Sequence, residues 1–231
     1  MKKQIIGLLA FGFLLISLQT QAQQVFKGKI TYKTTFTGDE KLVNQAKAFM
    51  PALEEIITDG KNFRVLDEGG FATKEIFFEA GNEYYYLISA KDETITKEKF
   101  RKRRKSLNPP NFKKTDEVKQ VAGLTARKYE VWSKDKKRAD VWVNDEYRWN
   151  LENHPYRFSK TLMLDASTSD LDNKVLLGLN YPHPSGNANI IVWATEITTN
   201  ISKDAFKLPD FQMVDRFKEI KKPDIKKDGG K

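Results

Sequence analysis

The chain has 231 residues, with 40 basic and 31 acidic side chains, a formal net charge of +9 and no cysteine. The absence of cysteine excludes a disulfide framework, thiolate nucleophiles and cysteine-ligated zinc.

Residues 1–22 read as a secretory signal. Lys2 and Lys3 form the positive region, Ile5 to Leu18 the apolar core, and Thr20 and Ala22 the small residues before a cleavage point after Ala22. The apolar run is shorter than the ~20 residues that span a bilayer. With no cysteine to lipidate, the expectation is a soluble chain in the periplasm or outside the cell. Removing the two lysines of residues 1–22 leaves 38 basic against 31 acidic residues, or +7. Residues 23–217 are long enough for one domain with its own core. Residues 218–231 are a basic, glycine-ended tail without a structural pattern.

Period-two alternation predicts a first strand over Phe26–Phe36, with Phe26, Ile30, Tyr32 and Phe36 on one face and lysines on the other. Asp39 is a helix cap, followed by Leu42, Val43, Ala46 and Phe49 at helical spacing and ended near Pro51. Strands follow over Glu55–Thr58, Asn62–Leu66, Phe71–Phe78 and Glu83–Ile88, separated by glycine-bearing turns. Lys97, Lys99, Arg101, Lys102, Arg103, Arg104 and Lys105 make the densest charge run, and Pro109-Pro110 follows. That segment reads as a long loop offering a patch for an anionic membrane surface or another polyanion. Its basic residues are not interleaved with stacking aromatics, which argues against nucleic acid.

Val121–Val143 reads as a hairpin, with arms Leu124–Trp132 and Ala139–Val143 joined by the charged turn Ser133–Arg138. Adjacent Val131 and Trp132 suggest a bulge or two-sided burial in the first arm. Glu146–Pro184 is the least regular stretch, within which Leu162-Met163-Leu164 reads as the start of a short apolar helix. Asp165, Asp170 and Asp172 read as caps or turns, since a calcium loop would need a glycine and a terminal glutamate. Asn189–Thr199 is the last clear strand, and Phe211–Phe217 an edge strand. Eight or nine strands with one helix near the front imply an α+β fold built on a single large curved antiparallel sheet.

Three stretches carry a family resemblance: Phe26-Lys27-Gly28-Lys29-Ile30-Thr31-Tyr32; Val121 to Val131 with Val141 to Glu146; and Ile201 to Pro209. Through them the chain resembles the exported Bacteroidetes family DUF4412. That family is similar to the LolA/LolB-like periplasmic lipoprotein-carrier fold. Many relatives have a cysteine where this chain has Ala126. The resemblance implies a half-open β-barrel whose concave face is lidded by helices and holds an apolar ligand. Aromatic residues available to line such a cavity are Phe36, Phe49, Tyr84, Tyr86, Trp132, Trp142, Trp193 and Phe211, all of which would serve equally well as core.

No nucleophile elbow, phosphate loop, dinucleotide-binding glycine pattern or His-Glu-x-x-His helix occurs. His154 and His183 each stand beside proline, and the carboxylates are scattered. The expectation is therefore a non-catalytic protein without cofactor or metal. It binds lipid or another apolar ligand, or else serves as an envelope scaffold contacting anionic partners through its basic loop.

Overall fold

The computed structural model describes residues 23–70, 74–99, 110–151, 171, 173–183 and 185–214. Strands β1 to β7 are Gln24–Val25, Gly28–Gly38, Leu53–Thr58, Phe63–Glu68, Lys74–Phe78, Tyr84–Ser89 and Thr94–Lys99. Strands β8 to β13 are Asn111–Val121, Leu124–Ser133, Lys136–Arg148, Lys174–Pro182, Ala188–Thr198 and Gln212–Val214. They form one 13-stranded sheet in the order β13-β7-β6-β5-β4-β3-β2-β12-β11-β10-β9-β8, with β1 attached to β10.

This architecture corrects the α+β expectation. The described residues hold one α-helix, α1 (Glu40–Phe49), and a four-residue 3-10 turn, Lys203–Phe206. Helix α1 is capped as expected, the Asp39 carboxylate accepting from Leu42 N at 3.1 Å, but none of its residues is buried. It lies beside β2 and β12 and does not lid the sheet. The sheet is also mixed, because β1 runs parallel to β10 and β13 parallel to β7, and its order ends in two edges instead of closing. The physical reason is that strands cover what helices were expected to cover. Phe26 beside β1, Phe63 on β4 and Trp149 after β10 are all fully buried, with Trp149 making ring contacts to both phenylalanines at 5.4 and 5.9 Å. The end of β10 thus closes the inner face of β2–β5, and the sheet rolls onto itself.

Alternation explains the first half. On β2, Ile30, Tyr32 and Thr34 are buried while Lys29, Thr31 and Lys33 are not. The register then sets Ile30, Ile56, Val65, Ile76 and Leu87 side by side across five strands. Burial of each such aliphatic side chain stabilises by roughly 1.5–3 kcal/mol, so this row fixes the register more firmly than any turn. A one-residue slip in β3 would put Ile57 inward and bring Ile56 to the outside.

The second half curls more tightly. Strand β8 approaches β12 although β9, β10 and β11 lie between them. Gly178 on β11 faces Trp193 on β12, and a Cβ at Gly178 would lie 2.0 Å from the indole ring. The ring therefore occupies the space a side chain at Gly178 would take, and it meets Trp142 at a centroid distance of 4.8 Å. The expected hairpin is present, but its turn is only Lys134-Asp135; a bulge does lie at the Val131-Trp132 step, with its extra residue, Arg138, on the partner strand β10, and Val131 and Trp132 are both partly buried.

Candidate functional site

The candidate residues fall in four places. Phe36 is half-buried on the inner face and packs against the main core, whereas Phe49 ends α1 largely exposed. Tyr84 and Tyr86 stand on the outer face of β6. Lys97 lies over the Tyr84 ring at 4.2 Å, and Tyr86 stacks with Phe77 at 6.0 Å. Phe211 belongs with them: it packs with Phe206 and Leu208 against Phe77, Ile88 and Ile95 in a small cluster of its own. Trp132, Trp142 and Trp193 lie in the curled second half, and only the last two touch.

A segment after β12 crosses the outer face and is held by Arg64. That guanidinium donates to the carbonyls of Ala205 and Lys207 and is paired with Glu75 on β5. The segment ends in β13, which adds to β7 in parallel, Gln212 opposite Thr94 and Val214 opposite Thr96. Lys97 and Lys99, expected in a loop, are the end of β7; Lys99 pairs with Glu83 at 3.5 Å. Arg101, Lys102, Arg103, Arg104 and Lys105 lie outside the described residues, as do His154, Leu162–Leu164, Asp165, Asp170 and Asp172.

The curled half carries a cation–aromatic surface that sequence reasoning missed. The Lys119 ammonium sits 3.9 Å from the Trp142 ring and 3.5 Å from that of Trp193, and Lys113 lies 4.1 Å from Trp132. Each indole face offers negative potential to the cation. Desolvation between the rings lowers the Lys119 pKa below the usual lysine value. Lys128 bridges Glu117 at 2.8 Å, while Lys137 joins Glu130 and Asp140 at 2.9 and 2.8 Å. The bond from Lys128 holds the Glu117 carboxyl below its ordinary range. These rings are already covered by the chain's own lysines, so they are not open stacking platforms. The signal in sequence was lysine on β8 opposite tryptophan on later strands, visible only once β8 is known to be a strand.

On the other side of β10, Asp145 is held by Arg127 at 3.0 Å and Lys174 at 2.8 Å, and Lys174 also donates to the Tyr129 hydroxyl. His183 makes a turn contact only: its Nδ1 lies 2.9 Å from Ser185 Oγ, and its backbone closes the β11–β12 hairpin on Ala188. Among the described residues, no group of three or more histidine or carboxylate side chains converges as a metal site. An open depression beside α1 is lined by Glu40, Lys41, Asn44, Gln45 and Ala48, a largely polar helix face. No helix among the described residues is long and apolar enough to cross a membrane.

No family model matches the chain, and no curated protein matches it. Two structures of PNGF-II, in space groups C2 and P21, are 14% and 15% identical to it over 82% of this chain, with TM-scores of 0.38 and 0.39. The likeness is weak. The chain corresponds to 31% of the PNGF-II chain's length, and the similarity carries no argument about its activity. These comparisons give no support to the expected resemblance to DUF4412 or to the LolA-like fold.

Proposed function

We propose that the chain is an exported, non-catalytic interaction protein that docks on an anionic membrane surface through one basic corner of its sheet. The observation that carries this reading is the parallel pairing of β13 with β7. Parallel neighbours run the same way, so the chain leaves both strands at the same end of the same edge. Residues 97–105 hold seven basic side chains against one acidic, and residues 215–231 hold seven against four. Their combined excess of nine exceeds the +7 of residues 23–231, so everything else is slightly acidic. Both basic stretches therefore continue from neighbouring parallel strands that end at the same end of the sheet. Each lysine or arginine near an anionic bilayer adds about 1 kcal/mol of attraction, which falls off within a Debye length.

The lipid-carrier reading draws less support. The aromatic residues proposed for a cavity are spread over both faces, and Trp142 and Trp193 pack on each other under Lys119. One experiment separates the two readings. Purified residues 23–231 are sedimented with phosphatidylglycerol vesicles and with phosphatidylcholine vesicles across a salt series, after extraction of any co-purified lipid. The docking reading expects binding to the anionic vesicles only, falling steeply with salt and weakened by Lys97→Gln with Lys99→Gln. Salt-independent binding, or none, overturns it. Extractable lipid at a defined stoichiometry would establish the carrier instead.

A further inference from the structure

We propose that the free edge of β8 pairs antiparallel with the β8 edge of a second copy of the chain, about a two-fold axis at Thr115. Strand β8 ends the sheet, and among the described residues it pairs only with β9. It is eleven residues long, and an edge strand with no second neighbour among the described residues is a template for another strand. At the opposite edge the described part of β13 is Gln212–Val214.

What selects the partner is the order of side chains along β8, Phe112-Lys113-Lys114-Thr115-Asp116-Glu117-Val118. Reversed on itself about Thr115, this stretch is complementary at every position. Lys113 comes opposite Glu117, Lys114 opposite Asp116, and Phe112 opposite Val118. Two-fold symmetry makes each pair twice, giving four ion pairs and two apolar contacts in one isologous interface. Opposite charges directly across antiparallel strands stabilise the pairing, and like charges oppose it. A parallel or shifted alignment loses the match: one residue of slip puts Lys113 opposite Asp116 and Lys114 opposite Thr115, and leaves Glu117 opposite Phe112.

The environment agrees. Lys113, Lys114, Asp116, Glu117 and Val118 are all exposed, and Val118 is one of the few large apolar side chains in that state. The β8–β9 register shifts between Lys114 and Val118, where four steps on β8 face two on β9. Because β8 gains an even number of residues, the alternation of faces is kept on either side. Thr115 stabilises the bulge, its hydroxyl donating to Lys128 O at 3.2 Å and accepting from Glu117 N at 3.3 Å. Glu117 already pairs with Lys128, and its half-exposed carboxylate has a second oxygen for Lys113 of the other copy.

The test is sedimentation equilibrium of residues 23–231 and of two charge-reversed variants, Lys113→Glu/Lys114→Glu and Asp116→Lys/Glu117→Lys. Wild type is expected to dimerise, more weakly at high salt. Each variant alone is expected to dissociate about tenfold or more readily, while the two variants mixed restore a dimer. A monomer at all concentrations overturns the proposal, as does a dimer that both variants retain. Hydrogen exchange on the wild-type chain gives an independent reading even if a variant folds poorly. Protection of residues 112–118 should rise with protein concentration, and concentration-independent exchange there counts against the pairing.

Discussion

At single residues the tightest constraint is Gly178. Its backbone conformation is ordinary for a strand; what excludes a side chain is the Trp193 ring lying on it. Gly178→Ala should push the indole off β11, separate it from Trp142 and cost about 1–3 kcal/mol, as overpacking of a filled site does. Urea denaturation measures the loss, and combining Gly178→Ala with Trp193→Leu should recover part of it. Asp145 makes a prediction about pH. Burial alone would raise its pKa, but the hydrogen bonds and charges of Lys174 and Arg127 outweigh that and hold it below the usual carboxylate value. A carboxylate with a depressed folded pKa contributes stability above its unfolded pKa and loses it as pH falls through the folded value. The stability of wild type should therefore decline as pH drops below about 4, and Asp145→Asn should be less stable at neutral pH with a shallower decline. Equal slopes for the two proteins would remove the carboxylate from the account.

Among the elements, the β9–β10 hairpin uses a two-residue turn in which Lys134 and Asp135 both have positive φ, 47° and 59°. Such a turn matches the twist of the strands but is costly for side-chain-bearing residues, which is why glycine is preferred there. Asp135→Gly should raise stability by about 0.5–1 kcal/mol, and Asp135→Val should lower it, both read from denaturation midpoints. Elements exposed on one face only were legible in sequence: β2, β3 and β4 alternate, and Asp39 announces α1. Those that escaped did so for opposite reasons. Strand β8 is exposed at seven of its eleven residues as an edge, so charged and polar side chains dominate its sequence and it resembles a loop. Strand β11 is buried from Val175 to Leu179, so its apolar run has no alternation, and Gly178 within it reads as a break. Strand β7 runs straight into the basic stretch, and only Ile95 and Thr96 are buried in it. The candidate site suffered likewise. Aromatic identity was plain, but which face each ring takes depends on a curl set by Gly178 and by the β10 bulge, and neither leaves a periodic mark.

Across the whole molecule, the arrangement of contacts sets how the sheet unfolds. The two halves share one continuous ladder, joined where β12 pairs with β2 from Ala188–Gly38 to Thr198–Lys29. A ladder alone would allow the halves to melt separately, since each strand needs only its neighbours. The inner face removes that freedom. Trp149, at the end of β10, packs on Phe63 of β4 and on Phe26, and Tyr32 of β2 donates its hydroxyl to Leu176 O of β11 at 2.7 Å. Neither half can open without exposing these side chains, and Tyr32 would leave an unpaired buried carbonyl behind. Unfolding should then be a single transition. The four tryptophans, Trp132, Trp142, Trp149 and Trp193, all report on the second half or its junction, while Tyr84, Tyr85 and Tyr86 stand in the first. Tryptophan fluorescence and far-ultraviolet circular dichroism should therefore give coincident denaturation curves in the wild-type chain. Trp149→Ala removes the tie at a cost of about 3–5 kcal/mol and should separate the two curves, the sheet signal of β2–β7 being lost before the Trp142–Trp193 pair is disrupted. Coincident curves in that variant would mean that the shared β2–β12 ladder, and not the closed inner face, couples the halves.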